Sequence, residues 1–311
     1  MQIHQGEPAA HDDARPEIDP HLGLDLRPET TVQRLDLSVS VVIPAHNEEP
    51  TIAAVVTEAF ASLDRLGVEG EVIVAASGCT DKTAENARLA GARVVDAPIG
   101  KGAALKAGVD LADGGVVCAV DGDVRYYGDP PLVELLVGPI LEGLADATIT
   151  DLYWRPLYPQ LWMCGFFAPL AGRLYPELLP KVGNTPWSGQ RAALRHLWPA
   201  ELPDDFTVDL ALLLHWNRAA QRLRPVLAGD WVNPQRPKPD LMRTELDLLI
   251  SSAVGDGRFD PNARAALEAW FDQTHRLMAR YAPGVDDPQE FEARILERAL
   301  TSLPDHLGTG A

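Results

Sequence analysis

The segment SVSVVIPAHNEE, residues 38–49, decides how the rest of the chain is interpreted. Its first part is a continuous apolar run rich in β-branched residues, which predicts a buried strand that ends at Pro44. The segment that follows, IAAVVTEAFASL (52–63), repeats its apolar side chains at helical spacing. Together the two segments predict a strand followed by a helix.

The same alternation continues to residue 123. Three more strands are predicted, at EVIVAAS (71–77), ARVVDA (92–97) and GVVCAVDGD (115–123). Two more helices are predicted, within GCTDKTAENARLAG (78–91) and at AALKAGVDLAD (103–113). Residues 98–102, PIGKG, are predicted to form a flexible loop that carries Lys101 between two glycines. Strands and helices at this rhythm predict an α/β fold with a parallel sheet and right-handed crossovers.

The composition excludes several classes of protein. Lys and Arg number 27 against 45 Asp and Glu, a formal net charge of −18, which disfavours nucleic acid and anionic membrane surfaces as partners. The three cysteines lie far apart, so neither a disulfide framework nor a zinc site is predicted. No apolar run reaches the ~18 residues of a membrane span, and the first residues lack the apolar segment of a signal peptide. We therefore expect a soluble, cytoplasmic protein without a membrane span.

Polar residues follow three of the predicted strands, at the edge where open α/β sheets bind their ligands. The most informative are Asp121 and Asp123, which flank Gly122 after the fourth strand. Two carboxylates at this spacing suit a hard divalent cation such as Mg²⁺ or Mn²⁺, which in turn holds a diphosphate. The alternative is an ordinary turn, because Asp-Gly is common in turns.

Four segments in order resemble one known family of enzymes. VVIPAHNEE, VIVAASGCTDKTAENARLAGARVV, GKGAALKAG and VVCAVDGD are similar to the nucleotide-sugar-binding half of GT-A fold glycosyltransferases. Within that superfamily, PIGKGAALKAG, LVELLVGPILEGLADATI and GNTPWSGQRAALR are most similar to the retaining glucosyl-3-phosphoglycerate synthases. The resemblance covers residues 38 to about 240. It implies a Rossmann-like, mostly parallel sheet flanked by helices.

Composition and element pattern divide the chain, and the resemblance names the two central parts and implies a set of donor contacts. The expected division is a mobile N-terminal arm (1–36), a nucleotide-sugar-binding half (37–125), an acceptor-binding half (126–245) and a C-terminal helical extension (246–311). The residues implied to bind the nucleotide sugar are Pro44, Ala45, Asn47, Glu48, Ser77, Lys101, Asp121 and Gly122. From the residues alone, Ser77 could instead cap the following helix, and Lys101 could be a solvated lysine of the loop.

The implied metal site has one departure from the family. The resemblance assigns Asp123 to a divalent cation, Mg²⁺ or Mn²⁺, and Asn233 stands where the family has a histidine. An asparagine carbonyl suits Mg²⁺ but is a weaker ligand than imidazole for Mn²⁺. The cation is therefore expected either to be held by Asp123, water and the diphosphate, or to be bound loosely.

The acceptor side departs further from the family. The run DLYWRPLYPQLWMCGFF (151–167) replaces the family's glycerate-phosphate loop and offers Arg155 to an anion. Its aromatic side chains suit a sugar ring or a heteroaromatic acceptor; they belong to Tyr153, Trp154, Tyr158 and Trp162. We therefore expect a small acceptor other than 3-phosphoglycerate. The alternative is that these aromatic residues are core.

Three further residues are assigned to the reacting centre. Asp209 begins the apolar helix predicted over 206–223 and matches an acid that the fold places under the sugar or acceptor; Asp205 is a rival. The helix dipole alone would also favour an acid there. Ser188 and Gly189 are expected to contact sugar hydroxyls, unless Ser188 is the N-cap of a helix.

The function predicted is the transfer of a hexosyl group from a nucleotide-diphosphate sugar to a small-molecule acceptor, with retention and a divalent cation. One alternative is a relative that binds the nucleotide sugar but turns over weakly; another is glucosyl-3-phosphoglycerate synthase itself. A nucleotidyltransferase is less compatible, because AHNEEPTI (45–52) is not the Gly- and Arg-rich loop it would need. The C-terminal helices suggest a homodimer.

Overall fold

The computed structural model describes residues 34–126, 128–152, 162–183, 185–229, 231–232, 239–282 and 284–303. Several predicted features lie outside these ranges. They are the N-terminal arm up to residue 33, three of the four aromatic residues of the acceptor segment, Arg155 and Asn233.

The described part of the chain contains a seven-stranded sheet and a two-stranded ribbon. The strands are β1 (Val39–Ala45), β2 (Gly70–Ser77), β3 (Arg93–Ala97), β4 (Val116–Ala119), β5 (Arg125–Tyr126), β6 (Ala147–Leu152), β7 (Arg191–Leu194), β8 (Leu223–Ala228) and β9 (Trp231–Val232). The sheet order is β3-β2-β1-β4-β7-β6-β8, and β5 pairs with β9. β7 runs antiparallel to β4 and β6, while the other pairs in the sheet are parallel. The predicted mostly parallel sheet is confirmed.

Helices cover both faces of the sheet and continue beyond it. They are α1 (Ile52–Leu66), α2 (Thr83–Leu89), α3 (Lys101–Leu111), α4 (Leu132–Leu141), α5 (Ala168–Leu174), α6 (Val208–Ala219), α7 (Pro239–Gly255), α8 (Arg264–Met278) and α9 (Pro288–Ser302). A π-helical turn, Met163–Phe167, leads into α5. Among the helices described, none has the length and apolar character needed to cross a bilayer.

The interior position of β1 in the sheet explains why its sequence is almost entirely apolar; the exception is Ser40, whose hydroxyl donates to Glu71 at 2.8 Å. Val42 belongs to the core on one face of the sheet, together with residues of α3 and α6. Val41 and Ile43 belong to the core on the other face, together with residues of α1 and α4. Because β1 is buried on both faces, its side chains on both faces are apolar or, at Ser40, hydrogen-bonded.

Three local predictions were wrong. Residues 98–102 do not form one loop, because α3 begins at Lys101. The segment after Ser188 is the strand β7, so Ser188 is not the N-cap of a helix. The helix predicted over 206–223 ends at Ala219 and Leu223 already begins β8.

Glycine explains the first error. A Cβ on Gly102 would lie well inside van der Waals contact with the carbonyl oxygen of Pro203, and one on Gly100 with that of Asp204. The N–H of Ala103 also donates to the Asp204 carbonyl at 3.0 Å. The two glycines therefore allow the start of α3 to approach another part of the backbone and do not mark a flexible loop.

Candidate functional site

The crevice at the ends of β1 and β4 is the point where the strand order changes direction. From β1 the chain proceeds to β2 and β3 on one side of the sheet, while β4 lies on the other side. The hydroxyl of Thr51 donates to the Gly122 carbonyl at 2.8 Å, and the Gly122 N–H donates to the Pro44 carbonyl at 3.3 Å. These bonds join the two strand ends at the place where doubly wound sheets bind ligands.

The loop after β1 is fixed to the loop after β2. Asn47 adopts a left-handed backbone conformation with φ of 57°, and its side-chain oxygen accepts a hydrogen bond from the Thr80 N–H at 2.8 Å. The Glu48 N–H donates to the Thr83 hydroxyl at 2.7 Å. Pro44, Ala45 and Glu48 thus lie beside Gly122, while Asn47 contacts the loop after β2.

Ser77 holds a neighbouring loop. Its hydroxyl donates to the Pro98 carbonyl at 2.7 Å and accepts from the Gly100 N–H at 3.0 Å. The alternative that Ser77 caps the next helix is wrong, because α2 begins only at Thr83. The Ser77 hydroxyl instead fixes the segment that leads into α3.

A compact network of four charged side chains lies beside this crevice. Lys101 Nζ lies 2.8 Å from Asp209 Oδ2 and 3.2 Å from Asp121 Oδ1. Arg191 Nη2 lies 3.3 Å from Asp209 Oδ1, and Arg191 Nη1 donates to the Asp209 carbonyl at 2.9 Å. Two acids and two bases therefore neutralise one another where α3, α6, β7 and the end of β4 meet.

Burial and charge act in opposite directions on the two cations. Burial disfavours the ammonium group of Lys101, but Asp121 and Asp209 more than offset burial, so the pKa of Lys101 lies above its usual value. Arg191 is wholly buried, and burial lowers its pKa despite the opposing effect of Asp209 and Asp121. Lys101 is thus a largely buried, ion-paired side chain, and the alternative of a solvated lysine is wrong.

Asp209 presents an unusual buried oxygen to the site. Among the described residues, none donates a well-formed hydrogen bond to Asp209 Oδ1, although this atom is buried. Its ion-pair contact is Arg191 at 3.3 Å. A buried carboxylate oxygen without a good donor is uncommon, and it marks Asp209 as a candidate functional residue. The rival Asp205 has a local role, since Asp205 Oδ1 accepts from the Thr207 N–H at 2.9 Å.

Three further residues adjoin the site and were not predicted from the sequence: Gln190, Arg191 and Thr150. Ser188 Oγ lies 2.5 Å from Thr150 Oγ1, and the Ser188 carbonyl accepts from Arg191 Nε at 2.9 Å. A Cβ on Gly189 would lie 2.7 Å from a carboxylate oxygen of Asp121. Ser188 and Gly189 are therefore brought to the charged network. No local pattern in the sequence indicated Gln190 or Arg191, because β7 has only four residues.

The carboxylates at the end of β4 fit a divalent cation. Asp121 contacts Lys101 and Gln190, and Asp123 is a half-buried carboxylate two residues further along. In the part of the chain that the structure describes, no group of three or more His, Cys, Asp or Glu side chains converges on one point. One or two carboxylates completed by diphosphate oxygens and water are an ordinary Mg²⁺ environment.

Of the four aromatic residues predicted to face the acceptor, the structure describes Trp162, and this residue belongs to the core. Trp162 is stacked on Trp187 with ring centroids 5.4 Å apart and an interplanar angle of 23°. Phe167 meets Trp187 edge-on at 5.9 Å. For Trp162, the alternative of a packing role is therefore supported.

Known proteins are similar to this chain in sequence and in fold. Residues 40–165 match the model of the family described as glycosyl transferase family 2. Glucosyl-3-phosphoglycerate synthase of Mycobacterium tuberculosis is 34% identical over 214 residues, which cover 60% of this chain and 65% of that protein.

Two crystal structures of the M. tuberculosis synthase are also similar. The complex with phosphoglyceric acid superimposes with a TM-score of 0.58 at 30% identity, over 75% of this chain and 88% of that one. The complex with Mn²⁺, uridine diphosphate and glucosyl-3-phosphoglycerate gives 0.58 and 30%, over 73% and 83%.

The mostly parallel sheet is that of the GT-A fold glycosyltransferases, as predicted. The chain belongs to glycosyl transferase family 2.

Proposed function

We propose that this protein transfers a hexosyl group from a nucleoside diphosphate sugar to a small-molecule acceptor. The observation that carries the proposal is Asp209 Oδ1, a buried carboxylate oxygen that lacks a good donor among the described residues and adjoins Lys101 and Arg191. Lys101 supplies the positive charge for a diphosphate, and Asp209 accepts a hydrogen bond from a sugar or acceptor hydroxyl.

The donor lies along the ends of β1 and β4. Pro44, Ala45, Asn47 and Glu48 bind the base and ribose, with Asp121 and Gly122 on the ribose side. Asp123, with Asn233, holds Mg²⁺ or Mn²⁺ against the diphosphate, and the cation supplies charge neutralisation for the leaving group. Mn²⁺ and uridine diphosphate in the M. tuberculosis relative support this assignment. Residues 37–125 form the donor half and residues 126–245 the acceptor half.

The charge network favours retention of configuration. An inverting mechanism requires a carboxylate that takes the proton of the acceptor hydroxyl. Asp209 lies 2.8 Å from Lys101 and 3.3 Å from Arg191, so a proton moved onto its carboxylate would leave both cations without their balancing charge. Asp209 therefore orients hydroxyl groups and balances the two cations.

The acceptor is a small molecule other than 3-phosphoglycerate, bound near Arg155, Ser188 and Gly189. The absence of the family's phosphate loop from the sequence supports this choice. The second candidate is 3-phosphoglycerate itself, which is favoured by the complex of the relative with phosphoglyceric acid. A homodimer and a cytoplasmic location remain predictions.

A donor screen tests the proposal. The melting temperature is measured by thermal shift with a panel of UDP-, GDP- and ADP-sugars, each with Mg²⁺, Mn²⁺ or EDTA. The true donor, with its cation, should raise the melting temperature, because it binds the folded protein. Product analysis with that donor and a panel of acceptors, including 3-phosphoglycerate, then identifies the acceptor. No shift with any sugar nucleotide would contradict the proposed function.

A further inference from the structure

Gln190 makes two hydrogen bonds to one residue of the candidate site. It lies directly before β7 and is wholly buried. Its Oε1 accepts from the Asp121 N–H at 2.8 Å, and its Nε2 donates to Asp121 Oδ2 at 2.6 Å. A single side-chain amide therefore satisfies both the backbone and the carboxylate of Asp121.

Gln190 is itself held in place from two sides. Its N–H donates to the Ser188 hydroxyl at 3.2 Å, and its carbonyl accepts from the Thr150 N–H at 3.1 Å. The side chain cannot turn away without losing buried hydrogen bonds, which are costly to leave unmade. Gln190 is thus a rigid support for the carboxylate that it contacts.

The orientation of Asp121 follows from this support. With Oδ2 bound by Gln190, Oδ1 faces Lys101 at 3.2 Å. Lys101 in turn bonds Asp209. Glutamine is suited to this position because it offers a donor and an acceptor together; methionine of similar length offers no comparable pair.

We propose that Gln190 is a positioning residue that fixes the Asp121 carboxylate toward Lys101, and thereby holds Lys101 in the place where it meets the donor diphosphate. The inference rests on the proposed function, because its measure is nucleotide affinity. Without Gln190, Asp121 can rotate, and Lys101 loses one of its two carboxylate contacts.

The test compares Gln190→Met with wild type by calorimetry of UDP in the presence of Mn²⁺, using the full chain. Methionine nearly preserves the side-chain volume, so folding is checked by circular dichroism and melting temperature. We expect UDP affinity to fall about tenfold, the effect of one lost bond to a charged group. The matched control is Gln221→Met, which changes an exposed glutamine and should bind UDP as wild type does.

A double-mutant cycle separates positioning from mere structural support. If Gln190 acts through Lys101, the losses of UDP affinity in Gln190→Met and Lys101→Met should not add, because the second change removes what the first one disturbs. Additive losses would overturn the proposal, as would wild-type UDP affinity in folded Gln190→Met. Should Lys101→Met fail to fold, Lys101→Arg replaces it in the cycle. If wild type binds neither UDP nor any other nucleotide, the proposed function fails instead.

Discussion

Lys101 donates a hydrogen bond to Asp209 across 108 positions of the chain, with 2.8 Å between Nζ and Oδ2. Lys101 is the first residue of α3, and Asp209 is in the first turn of α6. The Lys101 side chain is only 13% exposed and that of Asp209 9%. This ion pair therefore joins the two halves of the candidate site in a place from which water is largely excluded.

Removing Lys101 should destabilise the fold as well as weaken donor binding. Lys101→Met leaves Asp121 and Asp209 close together without their shared cation, so we expect the free energy of unfolding to fall by about 3–5 kcal/mol. Chemical denaturation measures the loss. The control is Lys106→Met, on the same helix, whose partner Asp110 is exposed; it should have little effect. Equal stability of the two variants would contradict the burial of Lys101.

The sequence predicted correctly which strand ends meet, because that depends on neighbouring parallel strands. It did not predict where α3 begins, because that depends on a contact with a distant part of the chain. The polar ends of β1, β2 and β4 meet as expected because parallel strands end at one edge of a sheet. Lys101 was assigned to a loop because Gly-Lys-Gly commonly forms one, whereas here the glycines accommodate the carbonyl groups of Pro203 and Asp204.

The positions of Gln190 and Arg191 show a second limit on what a single sequence can predict. β7 has only four residues and pairs in antiparallel fashion with β4 and β6, so no local rhythm predicts it. Its register, with Ala119 opposite Arg191, is what brings the adjacent Gln190 to Asp121. A residue pair set by the register of a short strand is not visible in a single sequence.

Gly102 should be sensitive to the smallest possible substitution. Alanine is normally the better helix former, but its Cβ would collide with the Pro203 carbonyl, so α3 must move away from residues 203–204. We expect Gly102→Ala to cost about 1–3 kcal/mol of stability and to weaken nucleotide binding through Lys101. Gly172→Ala in α5 is the control, since its Cβ meets only Leu179 Cδ1 at 3.5 Å. Thermal denaturation compares the two, and a stabilised Gly102→Ala would argue against the close approach.

The dependence of UDP binding on a divalent cation should be due mainly to Asp123. In Asp123→Asn we expect UDP to bind at least about tenfold more weakly in Mn²⁺, because the cation loses a charged ligand next to the diphosphate. In EDTA, wild type should bind UDP as weakly as the variant does. Calorimetry in Mg²⁺, Mn²⁺ and EDTA measures both effects. If wild type bound UDP equally well in EDTA and in Mn²⁺, a cation would play no part in UDP binding.

Asp209 should be required for transfer while Asp205 is not. Asp209→Asn keeps the shape of the side chain but leaves Lys101 and Arg191 with less opposing charge. It also makes Oδ1 a weaker hydrogen-bond acceptor for a ligand hydroxyl. We expect kcat to fall about 100-fold or more, the scale of a lost electrostatic contact at a reacting centre. Asp205→Asn is the matched control, because Asp205 Oδ1 caps the turn before α6 through the Thr207 N–H and an asparagine oxygen can still accept that bond. NMR of the wild-type product gives its anomeric configuration and so tests the role of the acid. We expect retention, because the Asp209 carboxylate is already engaged by two cations. Inversion, together with complete loss of activity in Asp209→Asn, would identify Asp209 as the general base. Full activity of Asp209→Asn would exclude Asp209 from the reaction altogether.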